Sequence, residues 1–286
     1  MTSADRRAVI FVGGTPYSGA DLIAELLGGH PDVAMVPAAL RFHTDLRGIP
    51  ALLGGRIGLD DFLAELSGGG LAERAGREAL DDAIAAFRAA YEDDPIDSSR
   101  ALFWSLLDAA TEGDHARTLV DASPGNLLEA HTLARLVPES RFVHVVRDGR
   151  DVAGAAVEGG LVDRMSAGLE WWAERLRDVE RGLRGEEDGA AYEIPEGRVS
   201  IAALEGFTRG AHAILLDELG LGAHPVPEGA AARLGRATAD VRHWRRHARG
   251  PAAWWLSRRY AATLGELAEE GNEAAELLLD LRKRLG

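Results

Sequence analysis

The residues best placed to do chemistry lie between Gly13 and Asp21. Gly13, Gly14 and Gly19 surround the hydroxyls of Tyr17 and Ser18, and the carboxylate of Asp21 follows at once. Ahead of them, Val9 to Val12 is a short apolar run with β-branched character, the pattern of a buried strand entering a loop. Behind them, Leu22, Ile23, Leu26 and Leu27 recur at helical spacing until Gly28-Gly29 closes the helix. A strand, a glycine-rich loop and a helix N-terminus gather unpaired backbone N–H groups and a positive helix end at one point, where a phosphate or sulfate group binds. An ordinary βα turn has the same composition, so the loop alone leaves both readings open.

Other candidates lie on segments that these elements must bring to the loop. His30 to Pro37 turns and returns as a second short apolar segment leading to Arg41 and His43. Leu119-Val120 predicts a brief strand, and Asp121 to Asn126 is turn chemistry opening a helix over 127–136. Arg141 to Val146 is the clearest strand after the first, ending in the charged turn Arg147-Asp148-Gly149-Arg150-Asp151 with a helix starting near Asp151. Helical periodicity covers 59–66, 71–91 and 98–110, then 166–184, 208–219, 252–263 and 264–284. A weaker strand is expected over 198–202 and surface loops at 185–190 and 220–230. Strands alternating with helices imply an α/β fold with a central, largely parallel sheet flanked by helices. The reading is of a single domain over 1–286, with a helical insertion about 55–112 and a C-terminal helical segment about 230–286. Ligands on such sheets bind outside the carboxyl ends of the strands, where the 13–21 loop and the Arg147 turn both fall.

Composition narrows the function classes. The 286 residues contain no cysteine, which excludes disulfides, thiolate metal sites and cysteine nucleophiles. No signal-like N-terminus or long apolar run is visible, so a soluble cytoplasmic protein without membrane association is expected. The formal charge of −14 argues against a nucleic-acid partner. Lys283 is the only lysine, so anion recognition falls to guanidinium groups and backbone amides. The nine histidines show no usual ligand spacing, and His243 and His247 lie among arginines, so no metal is expected.

The chain resembles the sulfotransferases that use 3′-phosphoadenosine 5′-phosphosulfate (PAPS), in particular bacterial members acting on small molecules in specialised-metabolite pathways. The resemblance is carried by Ile10 to Gly14 with Ser18-Gly19 and Leu22 to Leu27, by His30 to Val33, by Ser123 to Asn126, and by Arg141 to Val152; Trp171-Trp172 and Trp244-Arg245 fit as well. It implies a P-loop-like sulfotransferase fold. In that fold the first loop, here Gly14, Tyr17, Ser18 and Gly19, holds the 5′-phosphosulfate, and Arg147 holds the 3′-phosphate through its planar fork.

Several positions depart from the family pattern. The loop usually reads Arg-Ser-Gly-Thr-Thr or carries a lysine, whereas here it is Tyr17-Ser18-Gly19-Ala20-Asp21, without the cation and both threonine hydroxyls. A carboxylate at Asp21 opposes a phosphosulfate by on the order of 1 kcal/mol or more. Ala155 stands at or beside the expected serine. Ala38-Ala39 stand where relatives place the carboxylate that deprotonates an acceptor, a loss of roughly 10²–10⁴-fold in rate. Arg242 replaces a small residue before Trp244-Arg245. These departures predict a divergent protein that needs no cofactor, PAPS or its 3′,5′-bisphosphate product being the one the resemblance allows. The leading reading is a protein that binds a sulfated or similarly activated substrate and promotes elimination or internal displacement of sulfate. Arg41, His43 and the loop amides would stabilise the leaving oxyanion and Asp21 would orient or deprotonate the nucleophile. Two readings stand beside it: a non-catalytic partner subunit or homodimer presenting Trp244, Trp254, Trp255 and Tyr260, and a PAPS-dependent sulfotransferase with a rearranged loop. Against each role stands a bland alternative: Asp21 as a helix cap, His43 as a loop histidine, and Arg41 paired with Asp45.

Overall fold

The computed structural model describes residues 7–37, 40–111, 117–185, 194–207, 211–226, 228–239 and 242–285. Ala38-Ala39, most of the expected 185–190 loop and the start of the expected 208–219 helix therefore lie outside the described residues. Five strands, β1 (Ala8–Gly14), β2 (Val33–Met35), β3 (Thr118–Asp121), β4 (Arg141–Val146) and β5 (Val199–Ala203), form one parallel sheet in the order β2-β3-β1-β4-β5. β1 pairs with β3 from Ala8 opposite Thr118 to Phe11 opposite Asp121, and β2 pairs with the other side of β3. The chain leaves β1 toward one edge of the sheet and leaves β4 toward the other, so the topological switch falls between these strands. Both strands are buried over most of their length, which explains why their sequences are largely apolar rather than alternating, with His144 a buried exception in β4.

The helices largely follow the apolar spacing, and the differences have local causes. The expected 71–91 helix is two, α4 (Leu71–Ala75) and α5 (Arg77–Ala90), because Gly76 takes φ 83°. The 127–136 helix shortens to α7 (Ala130–Leu136): the segment before it makes turn hydrogen bonds, Leu128 N–H to Gly125 O and Asn126 N–H to Ser123 O. The break near residue 263 moves to Gly271, which has φ 79°, so that α13 spans Pro251–Glu269 and α14 Glu273–Leu285. There Asn272 Oδ1 accepts the Ala275 N–H and caps the second helix. A helix over Glu228–Ala239, α12, begins inside the segment expected as loop.

Two compact units, each discontinuous in sequence, divide the chain. The first contains residues 1–12, 30–142 and 182–198. Its centre is a hydrogen-bonded turn after β3. Asn126 Nδ2 donates to Val12 O at 3.1 Å, to Asp121 O at 3.0 Å and to Asp121 Oδ1 at 2.8 Å, while Ser123 N–H donates to the same carboxylate. Burial alone would raise the Asp121 pKa, but the His43 charge and these donors outweigh it and hold the carboxyl below the usual range.

The second unit contains residues 13–29, 143–181 and 199–286. Trp172, on α9 (Met165–Arg184), is fully buried against Tyr260 with ring centroids 5.5 Å apart. A Cβ at Gly149 would come within 2.5 Å of the Trp172 indole, so glycine there lets the ring pack beneath the start of the helix after β4.

Replacing Asn126 by Ala strands buried acceptors on Val12 and Asp121. Stability is expected to fall by about 2–4 kcal/mol, read as a lower urea midpoint at unchanged slope.

Candidate functional site

The candidate site assembles within the second unit from the β1 loop, the turn after β4, and residues 242–247. β1 ends in Gly13-Gly14, and a Cβ at Gly14 would collide with the Val145 carbonyl oxygen. Only glycine allows that approach. Beyond it, Ser18 N–H donates to Thr15 O at 3.0 Å, Tyr17 sits at φ 69°, and Gly19 at φ 91° is the N-cap of α1 (Ala20–Gly28) with no side-chain cap. A left-handed tyrosine is strained, and such strain gathers at ligand sites. The hydroxyls of Thr15 and Ser18 are buried without a hydrogen-bond partner, next to the uncapped first turn of α1. Buried donors left without partners can be satisfied by water or by a ligand oxygen.

At the end of β4, the Arg147 guanidinium reaches the loop, with Nη1 donating to Tyr17 O at 3.3 Å and Nε buried without a partner. Asp148 pairs with Arg150. Its Oδ1 accepts the Arg150 N–H and Nε at 2.9 Å, and its Oδ2 accepts Nη2 at 2.6 Å, so that it caps α8 (Gly149–Glu158). Arg150 also donates to Ser257 Oγ and lies 4.6 Å from the Trp244 ring centroid and 4.8 Å from that of Tyr260. It is thus a structural cation, which leaves Arg147 as the guanidinium beside the loop.

Sequence reasoning did not single out Glu205, at the start of the helix after β5. Its Oε1 accepts the Asp148 N–H at 2.9 Å, and Leu204 beside it packs on Gly19. Burial, with a smaller push from Asp148, raises its pKa to about 7. Asp151, also buried, accepts the Arg242 N–H at 2.8 Å and the Trp244 N–H at 2.9 Å. This holds the 3₁₀ turn His243–Arg246 and fixes Arg242 at φ 73°, a left-handed backbone in which a side chain is strained. The turn brings His243 and His247 to Glu158 on α8, a group that spacing could not reveal because Glu158 lies 85 residues away in sequence.

The expected site residues fall as follows. Gly14, Tyr17, Ser18, Gly19 and Arg147 come together. Asp21 stands exposed in the first turn of α1, where a carboxylate complements the helix dipole. Arg41 and His43 belong to the first unit. Arg41 pairs with Asp45 at 3.5 Å and is half exposed. His43 is 1% exposed, lies 3.3 Å from Asp121, and meets Phe11, Phe42 and Phe103 ring to ring. Those environments are the bland alternatives for both residues, with His43 in the core rather than in a loop.

Residues 9–194 match the profile described as the Sulfotransferase family. Protein-tyrosine sulfotransferase 2 of Gallus gallus is 32% identical over 145 residues, 50% of this chain and 32% of that one. Protein-tyrosine sulfotransferase 1 of Danio rerio is 31% identical over 145 residues, 50% of this chain and 33% of that one. The chain therefore spans about a third of the length of these curated relatives. Among solved structures, the sulfotransferase domain from the Synechococcus PCC 7002 olefin synthase aligns over 90% of this chain and 95% of that one, with 17% identity and a TM-score of 0.49. No helix among the described residues is long and apolar enough to cross a membrane.

Glu205 supplies a pH test. Its carboxyl ionises near pH 7 in the fold against the model-peptide value of 4.5, so the folded state loses stability as pH rises from about 4.5 to 7. Glu205→Gln keeps an acceptor for Asp148 and removes that loss. The variant is expected to gain stability relative to the parent between pH 5 and pH 8, by up to about 3 kcal/mol in denaturant titrations.

Proposed function

The chain belongs to the sulfotransferase family, and from that membership we propose that its loop and Arg147 seat a PAPS-type ligand and serve sulfuryl transfer to a small molecule. The observation that carries this reading is the cluster of unsatisfied donors at one point. Arg147 Nε and the Thr15 and Ser18 hydroxyls are all buried and unpartnered, and the α1 N-terminus is uncapped beside them. Two hydroxyls, a guanidinium and amide N–H groups form a donor set for phosphate oxygens, so the residues present fit the group. When bound, PAPS supplies a sulfuryl group on a phosphate leaving group. Arg147 would hold the 3′-phosphate, with its fork steadied by the Tyr17 carbonyl. The Ser18 and Thr15 hydroxyls and the α1 amides would face the 5′ oxygens and stabilise charge that develops there. Glu205 anchors the Asp148 N–H and so sets the direction in which Arg147 leaves β4. Asp21, exposed at the loop rim, would accept the acceptor's proton.

A second reading has its own support. The loop has no lysine or arginine of its own and Asp21 lies in the first helical turn after it, which favours a substrate that arrives already sulfated and loses sulfate by elimination or internal displacement. The same seat would hold the leaving sulfate, and Asp21 would take the proton. The exposed indoles of Trp254 and Trp255 support a partner surface for either reading.

Calorimetric titration with 3′-phosphoadenosine 5′-phosphate separates the two. Micromolar binding to the parent, weakened by roughly 100-fold or more in Arg147→Ala, is expected for the nucleotide reading. No heat at millimolar nucleotide, together with sulfate release from sulfated amino alcohols that Asp21→Asn abolishes, would establish the second reading and overturn the first.

A further inference from the structure

We infer that Glu158, His243 and His247 form a binding site for a divalent transition-metal ion, of which zinc is the best fit. His243 Nε2 lies 2.7 Å and His247 Nε2 3.0 Å from the same carboxylate oxygen, Glu158 Oε1. One ligand atom from each of the three residues lies within 4.8 Å of the other two. Two imidazoles and one carboxylate, converging with a single donor each, are a zinc donor set that keeps a fourth position open. Bonds of about 2.0–2.1 Å to a tetrahedral ion place donor atoms about 3.3 Å apart. The cluster reaches that spacing if its contacts widen by a few tenths of an ångström. Without a metal, N–H···O hydrogen bonds hold the same atoms together.

The fold prepares this arrangement from both sides. Asp151 fixes the 3₁₀ turn through the Arg242 and Trp244 N–H groups, so His243 and His247 present themselves four residues apart from a rigid support. On the facing helix, Gly154 lies one turn before Glu158. A Cβ there would come within 3.3 Å of the His247 ring, so glycine makes room for the imidazole. The side chains are partly withdrawn from solvent, His243 at 9% and His247 at 21% exposed, with Glu158 open at 48%. Two nearby cations are directed elsewhere. The Arg245 guanidinium lies over the Trp244 ring, and Arg150 is held by Asp148. Imidazole ligands select zinc, copper, nickel or cobalt over magnesium and calcium, which prefer oxygen donors throughout.

The position suggests a purpose beyond structure. Gly159, next to Glu158, is packed by the Tyr17 hydroxyl, and a Cβ on it would collide with that oxygen. A dication held by Glu158, His243 and His247 would add positive charge at the C-terminal end of α8. Its open position would take water or an anionic oxygen.

The test reads metal alone and is independent of any nucleotide or substrate. Tag-free, full-length protein is titrated with zinc in competition with a chromophoric chelator, and with cobalt while its visible absorption is followed. One equivalent should bind, with the intense visible bands of a tetrahedral cobalt site, and magnesium should not compete. The double variant His243→Ala/His247→Ala and the single Glu158→Gln should each weaken zinc by at least about tenfold, with circular dichroism unchanged. Because Glu158 is largely exposed, its variant gives a readout even if the double variant does not fold. No saturable binding by the parent, or equal affinity in folded variants, would overturn the site.

Discussion

The buried carboxylate of Asp151 is the interaction on which the candidate site depends. One oxygen receives the N–H of Arg242 and the other that of Trp244, so a segment about 90 residues further along the chain is tied to the start of α8. Burial raises the pKa of this carboxyl above the ordinary range even though both amides favour its charged form. The two donors repay part of that desolvation. Much follows from the tie. Arg242 is forced to a left-handed backbone, Trp244 is brought over Arg150, and His243 and His247 are set against Glu158 two turns along the same helix.

The five residues from Arg147 to Asp151 thus divide their labour by charge and direction. Arg147 turns to the loop, Asp148 caps the helix and holds Arg150, Gly149 admits Trp172, and Asp151 holds the 3₁₀ turn. Arg150 shows why a charge motif needs its structure. In sequence it is as eligible to bind an anion as Arg147, but two aromatic faces and a bidentate carboxylate occupy it. Arg147 keeps a buried N–H without a partner. The difference lies in the groups around each side chain rather than in residue type.

The first unit uses a similar device for a different end. Asp121 gathers His43, Ser123 and Asn126 after β3, and Asn126 reaches back to the β1 carbonyl of Val12. His43 joins a cluster of three phenylalanines, where its ring works as a packed aromatic held by one carboxylate. His43 is 1% exposed, so in this structure its type and its place after the second apolar segment serve packing.

The sequence by itself determined the strands, most of the helices and the glycine-rich loop after β1, because these rest on local periodicity and on glycines whose backbone need is local. It also determined the family, since the order of loop, Ser123 to Asn126 turn and Arg147 turn is written along the chain. Tertiary structure decided which charged residues are free to bind and which are spent in packing. Arg147 and Arg150, and likewise His43 and His247, differ in neighbours that include residues far away in sequence: Ser257 and Tyr260 for Arg150, Asp121 for His43 and Glu158 for His247. Helix breaks at Gly76 and Gly271 also waited on the fold, because glycine permits a left-handed turn without requiring one. Glu158 was the least legible of all, since a ligand set built from a helix end and a distant 3₁₀ turn exists only once Asp151 has joined them.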